Sequence, residues 1–257
     1  RIVARAAAEI LRLERVFSLF HADSEVSRLN AMGRLQTPSF ELLDCLSLCG
    51  AVHAATDGLF DPTIQPLWAT YAEHHAAGLV PDATSLASAL ALVGWAGLRF
   101  DAGQISFAQP GMALTLNGVA QGYIADRVAE LLAAEGLTNI LVDTGEMRAL
   151  GGHPDGGGWP VTLDVGGELE PDALQLRDRA LASSAPLGTV FDAAGRVGHI
   201  LNPVSGLPAA PQWRLVSVTA PKAGLADALS TAFCLMPRAD IVRTLATFPQ
   251  ARLQHLA

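Results

Sequence analysis

Two oxygen-bearing side chains, Asp227 and Thr231, stand four residues apart in Leu225-Ala226-Asp227-Ala228-Leu229-Ser230-Thr231. On a helix that spacing sets one above the other on a single face. Hard oxygen ligands of this kind suit Mg²⁺, which completes its octahedral shell with phosphate oxygens and water. Capping and surface roles fit the same pair. A second candidate is Asn117-Gly118-Val119-Ala120-Gln121-Gly122, small residues ahead of a helical pattern, where free backbone N–H groups can face an anion. Its two glycines are four apart and lack G-x-G-x-x-G spacing, so a standard dinucleotide turn is not supported. His199, in Gly198-His199-Ile200-Leu201-Asn202-Pro203, falls at a strand end where an imidazole can act as general base. A purely structural histidine is the alternative there.

Other groupings argue against particular chemistries. Cys45, Cys49 and His53 recur every four residues, but the same positions form an apolar helical stripe with no fourth ligand nearby, which speaks against a soft-metal site. The three cysteines read as inert core thiols. Ser183-Ser184 lack the glycines of the G-x-S-x-G nucleophile elbow. Lys222 is the single lysine, and its Ala-Pro-Lys-Ala setting resembles neither a P-loop nor a Schiff-base site. The glycine-rich stretch Gly151 to Gly158 reads as a hairpin or connecting loop, since no helix start follows it.

These residues need elements to hold them. Ile10, Leu13, Phe17 and Phe20 form the stripe of a helix from about Arg5 to Leu19. The polar stretch His21 to Asn30 reads as a surface loop or short turn. Further helices are expected at Ser39 to Thr56, closed by Asp57-Gly58, at Thr84 to Val93, at Gln121 to Glu135, at Leu225 to Leu235 and at Ala239 to Ala246. Strands are expected at Leu98 to Phe100, Ala113 to Leu116, Ile140 to Val142, Val161 to Asp164, Ala180 to Ser183 and Leu215 to Ala220, and His74-His75 in a solvated loop. The mixture predicts an α+β fold: one two-lobed domain over residues 1–257, with mixed and antiparallel strands and packed helices.

Composition bounds the rest. The 257 residues are 50% hydrophobic and 16% charged, enough apolar surface to fold as one large domain or two closely packed lobes. With 25 acidic against 17 basic side chains and no basic run, a grip on nucleic acid or an anionic membrane surface is not expected. The longest charge-free stretch, Ala83 to Leu98, is short of a bilayer span. The chain opens at Arg1 without a basic-then-apolar leader, which is read as loss of an upstream segment and is consistent with export.

Taken in order, Phe17-Ser18, Asp23 to Asn30, Thr56-Asp57-Gly58-Leu59-Phe60-Asp61-Pro62-Thr63, Gly118 to Asp126, His199 to Pro203 and Ala226 to Thr231 resemble the ApbE family of FAD:protein FMN transferases. The resemblance implies an Mg²⁺-dependent enzyme that splits FAD and attaches FMN through a phosphoester to a threonine of an acceptor flavoprotein, releasing AMP. By resemblance, Asp227, Thr231 and the Ala120 carbonyl would hold Mg²⁺, and His199 would take the threonine proton. Asn30, Asp61, Gly118, Ala120, Gln121, Asp126, Glu146, Ser183 and Ser184 would line or support the FAD pocket.

Three departures mark this chain. The family pattern Asp-x-Gly-Gly-Ile-Ala-Lys-Gly is Thr115-Leu116-Asn117-Gly118-Val119-Ala120-Gln121-Gly122 here, so a carboxylate and a cation are lost. The family's Gly-Gly-Glu segment is Thr144-Gly145-Glu146, and an N-terminal Met-Gly-Thr strand is missing. The first two departures resemble the NosX-type subgroup of nitrous oxide respiration, which implies a periplasmic location and a NosR-like acceptor. Competing readings are a flavin-holding protein that does not transfer FMN and an FAD pyrophosphatase that yields FMN and AMP.

Overall fold

Every strand pairs antiparallel with its neighbours in the computed structural model, which describes residues 1–257, and helices pack beside the sheets in an α+β fold. The chain order begins with helices α1 (Ile2–Phe17) and α2 (Glu25–Met32), strand β1 (Arg34–Gln36), helices α3 (Phe40–Ala55), α4 (Gln65–Ala76) and α5 (Ala83–Leu90), and strands β2 (Leu98–Phe100) and β3 (Gln104–Phe107). It continues with α6 (Ala120–Ala134), β4 (Ile140–Asp143), β5 (Met147–Leu150), β6 (Trp159–Val161), β7 (Leu174–Leu176) and β8 (Ala180–Ser184). β9 (Val216–Ala220), α7 (Ala223–Phe233), α8 (Arg238–Thr247) and β10 (Arg252–Leu256) complete it. No helix is long and apolar enough to cross a membrane.

Residues 1–12, 118–185 and 211–257 form one compact unit; residues 13–117 and 186–210 form another. In the first, a five-stranded sheet runs β10-β9-β8-β5-β4, and a two-stranded sheet pairs β6 with β7. All five residues of β9 are buried, which requires cover on both faces; α7 packs against β8 and β9, and α6 against α7. Small residues let these layers close: Ala125, Ala129, Ala180 and Ala223 are all 1% exposed or less. In the second unit, a three-stranded sheet runs β1-β3-β2, with Leu35 opposite Ile105 inside. A separate core joins Leu67, Tyr71, Ala89 and Leu201.

Several local expectations are corrected. The polar stretch His21 to Asn30 is largely helix: Ser24 Oγ accepts from Ser27 N–H at 3.0 Å as N-cap of α2, Val26 and Leu29 are fully buried, and Gly33 closes it at φ +69°. Phe20 lies beyond α1 and is 94% exposed, because α1 ends at Phe17. His74 and His75 belong to the last turn of α4. Ala113 to Leu116 joins no ladder; Leu114 gives its N–H to Asn30 Oδ1 at 2.7 Å and its carbonyl accepts from Asn30 Nδ2 at 2.8 Å. One side-chain amide thus stands where a partner strand was expected. The strand expected at Val161 to Asp164 is shifted to Trp159–Val161, and Asp164 makes only an isolated bridge with Leu169.

Candidate active site

In the first unit, the start of α6 lies along the face of α7 that carries Asp227 and Thr231. Gly122 makes this approach possible: a Cβ there would fall 2.4 Å from the Ala223 carbonyl oxygen. The Gly122 N–H donates to Asp227 Oδ2 at 3.2 Å. At Gly118 an added Cβ would sit 3.0 Å from Thr231 Oγ1. Ala120, the first residue of α6, stands between the two glycines.

The electrostatics of this site are dominated by unbalanced negative charge. Asp227 and Glu146 are 4% and 9% exposed. Burial raises both carboxyls well above their ordinary range. For Glu146 the neighbouring charges of Asp227 and Asp143 add to that effect, and the Ser183 backbone N–H opposes it. For Asp227 only the Gly122 N–H opposes it. A buried anion pair without a cation is costly, so the arrangement favours a bound positive charge or a retained proton.

The surrounding hydroxyls form two separate groups. Ser184 Oγ lies 2.7 Å from Ser230 Oγ and 3.3 Å from Thr231 Oγ1, and Ser183 Oγ lies 2.7 Å from Ser217 Oγ. Gly145, at φ +102°, faces the Gln121 amide, where a Cβ would come 3.1 Å from Nε2. The fold therefore gathers Gly118, Ala120, Gln121, Glu146, Ser183, Ser184, Asp227 and Thr231 around the start of α6 and the adjoining face of α7.

No group of three or more His, Cys, Asp or Glu side chains forms a metal cluster. The candidate donor set is mixed: the Asp227 carboxylate, the Thr231 hydroxyl and the Ala120 carbonyl. Its all-oxygen character and the excess negative charge fit a hard divalent cation. Cys45, Cys49 and Cys234 are fully buried.

Asp126 has a different task. Its Oδ1 accepts from Ala223 N–H at 2.9 Å and its Oδ2 from Gly224 N–H at 3.0 Å, so both oxygens hold the N-terminus of α7. Arg148 Nε stands 3.3 Å from Oδ1. Asp126 thus supports the site by fixing the helix that carries Asp227.

In the second unit, His199 is half-buried, and burial lowers its pKa. Its Nδ1 lies 2.9 Å from the Thr189 carbonyl oxygen, which also accepts the His199 backbone N–H at 3.1 Å. A carbonyl can only accept, so Nδ1 carries the proton and Nε2 is left as the basic nitrogen. Asn30 is engaged with Leu114, as above. Asp61 Oδ1 accepts from the Thr63 N–H and hydroxyl at 2.9 and 2.7 Å, and its Oδ2 from Trp95 N–H at 3.0 Å. Both side chains brace loops of this unit.

Sequence reasoning missed Thr189, Arg148 and Ser230. Arg148 had a visible signal, a charge inside the short apolar strand Met147–Leu150. Thr189 and Ser230 had none, since a backbone carbonyl and a helical serine look ordinary in a sequence.

Residues 2–253 match the ApbE family. Among curated relatives, the FAD:protein FMN transferase of Haemophilus influenzae is 29% identical, over 83% of this chain and 66% of its own length. The FAD:protein FMN transferase of Treponema pallidum is 30% identical, over 95% of this chain and 77% of its own. The crystal structure of the ApbE protein from Thermotoga maritima superposes with a TM-score of 0.87 at 27% identity, covering 98% of this chain and 84% of that one. The chain thus spans about two thirds to three quarters of the length of these two curated relatives. With both its sequence and its fold matched along nearly the whole chain, the protein belongs to the ApbE family.

Proposed function

We propose that this protein is a Mg²⁺-dependent FAD:protein FMN transferase that joins FMN to a threonine of an acceptor flavoprotein and releases AMP. The observation that carries the reading is the buried Asp227 and Glu146 pair, facing the start of α6 with no countercharge of its own. The names of the curated relatives support the same activity.

When bound by Asp227, Thr231 and the Ala120 carbonyl, Mg²⁺ would supply the positive charge that a diphosphate and its leaving group require. The chain's own groups do the remaining work. His199 holds its Nδ1 proton on Thr189 and accepts the threonine hydroxyl proton at Nε2. The threonine Oγ then bonds to the phosphorus of the FMN half, and the bond from that phosphorus to the bridging oxygen breaks as AMP departs. Burial keeps the imidazole neutral at neutral pH, the form a base needs. The Gln121 amide donates hydrogen bonds without adding charge where the family pattern has lysine.

Asn117, Gln121 and the short Thr144-Gly145-Glu146 turn support a NosX-like assignment. On that reading the acceptor is a NosR-like flavoprotein of nitrous oxide respiration and the protein works in the periplasm.

The test incubates the purified protein with FAD, Mg²⁺ and a soluble acceptor domain bearing a flavinylatable threonine, following acceptor mass and AMP. An FMN-sized mass gain that EDTA abolishes is expected. Free FMN with AMP and no mass gain would establish a pyrophosphatase instead, and intact bound FAD with a known good acceptor would establish a flavin-holding protein.

A further inference from the structure

The His199 ring takes its orientation from one carbonyl, that of Thr189, so whatever fixes the Thr189 strand fixes the ring. Residues 189–199 form a tight hairpin: Val190 and Gly198 make an antiparallel bridge, and Phe191 N–H donates to the Val197 carbonyl at 2.8 Å. Asp192 closes the tip, its Oδ1 accepting from Arg196 and Val197 N–H at 2.8 and 2.7 Å. At Gly198 a Cβ would lie 2.1 Å from the Pro186 carbonyl oxygen, so the hairpin is also pressed against its own lead-in. These bonds make the hairpin rigid, but they do not attach it to anything.

Attachment comes from α4. Trp68, Tyr71 and His75 follow one another at spacings of three and four and share one face of that helix. Phe191 sits among all three, with ring centroids 5.2 Å from Trp68 in an edge-to-face contact and 5.6 and 6.2 Å from Tyr71 and His75 in stacked ones. His75 Nε2 is buried without a hydrogen-bond partner, so that imidazole serves the stack at the expense of its own solvation. On the far side of His199, Tyr71 donates its hydroxyl hydrogen to the Gly206 carbonyl at 3.1 Å, and Leu201 packs with Leu67 and Tyr71. One helix face thereby grips the returning segment on both sides of the histidine, eight residues before it and seven after it at Phe191 and Gly206.

We propose that Phe191 and Tyr71 are positioning residues for His199, holding the Thr189 carbonyl where it fixes the Nδ1–H form of the ring and aims Nε2. The proposal rests on the reading of His199 as the base in FMN transfer. Aromatic stacking suits this task because it resists sliding and tilting without using any polar group of the catalytic hairpin. A misplacement of about 1 Å in a proton acceptor lowers turnover far more than it lowers affinity for a substrate held elsewhere.

The experiment compares the full chain with Phe191→Leu, Phe191→Tyr and Tyr71→Phe, measuring kcat, the KM for FAD and the ¹⁵N shifts of the His199 ring. Phe191→Leu is expected to lower kcat about 10- to 100-fold with KM changed less than about twofold. The His199 nitrogens should move from the Nδ1–H pattern toward a tautomer average, and Phe191→Tyr, which keeps the ring, should restore both. Tyr71→Phe, which keeps the stack and removes one hydrogen bond, should give a smaller change of the same kind. An unchanged ¹⁵N pattern in Phe191→Leu, or equal losses in kcat and FAD affinity, would overturn the positioning role. The parent reading fails separately, if His199→Ala transfers FMN at the original rate while the ring pattern of Phe191→Leu still shifts.

Discussion

At the scale of single residues, the unusual property of this protein is that Asp227 and Glu146 share a buried site with no cationic side chain to balance them. Their raised pKa values make the fold's stability depend on pH in a definite direction. A carboxyl raised above its unfolded value keeps its proton in the native state over a range where the unfolded chain has released it. The resulting stabilisation is complete below the ordinary carboxylate range near pH 4 and is lost as pH rises toward about 9, the value to which Glu146 is pushed. His199 acts oppositely, because a histidine lowered by burial loses its contribution as pH falls below about 6.5. Between pH 7 and 9 the carboxyl pair therefore decides the slope. In EDTA the melting temperature should fall steadily across that window, Glu146→Gln should remove most of the fall, and Mg²⁺ should oppose it. Parallel curves for the original protein and Glu146→Gln would show that the pair does not carry the dependence.

Between elements, short stretches of backbone are completed by side chains from remote positions, and this is where the sequence is least transparent. Apolar periodicity marks α1, α3, α5, α6 and α8 within a few residues, because each buries one stripe and leaves part of its surface wet, whereas α7 is marked by its apolar run and exposes no residue. It fails for α2, half of whose eight residues are polar and whose helix rests on the Ser24 cap and two buried side chains. It misleads at Ala113 to Leu116, where alternation is real but the hydrogen-bond partner is the amide of Asn30, 84 residues earlier. That amide satisfies both polar groups of Leu114, a residue with no exposed surface. Asn30→Ala would strand a donor and an acceptor together, so a loss of about 2 to 3 kcal/mol is expected. Urea unfolding checks this: the midpoint should drop with the m-value unchanged. A midpoint equal to that of the original protein would mean that water replaces the amide at no cost.

Across the whole molecule, the proposed cation ligands and the proposed base fall in different units, which the chain order interleaves. Asp227 and Gly122 meet across 105 residues of sequence, and Glu146 joins them from a third stretch, so neither spacing nor periodicity could assemble the carboxylate site. What the sequence did carry was the set of residue types at each place: the i, i+4 pair on α7, the small residues opening α6 and the histidine before Asn202-Pro203. Gly122 also signals close approach, since glycine inside a helix costs roughly 1 kcal/mol relative to alanine and is kept where a Cβ has no room. Every proposed ligand of the cation lies in the first unit, whereas the hairpin bearing His199 lies in the second. A ligand that binds only the folded state stabilises it by about 2.7 kcal/mol at a hundredfold excess over Kd, and slows exchange in the parts it ties together. Hydrogen exchange of the flavin-free protein with Mg²⁺ alone should therefore show added protection at Gly118 to Asp126 and along α7. Residues 186–210 and α4 should exchange as before. Protection appearing first at the His199 hairpin, or none anywhere at millimolar Mg²⁺, would place the cation on other ligands and detach Asp227 and Thr231 from that role.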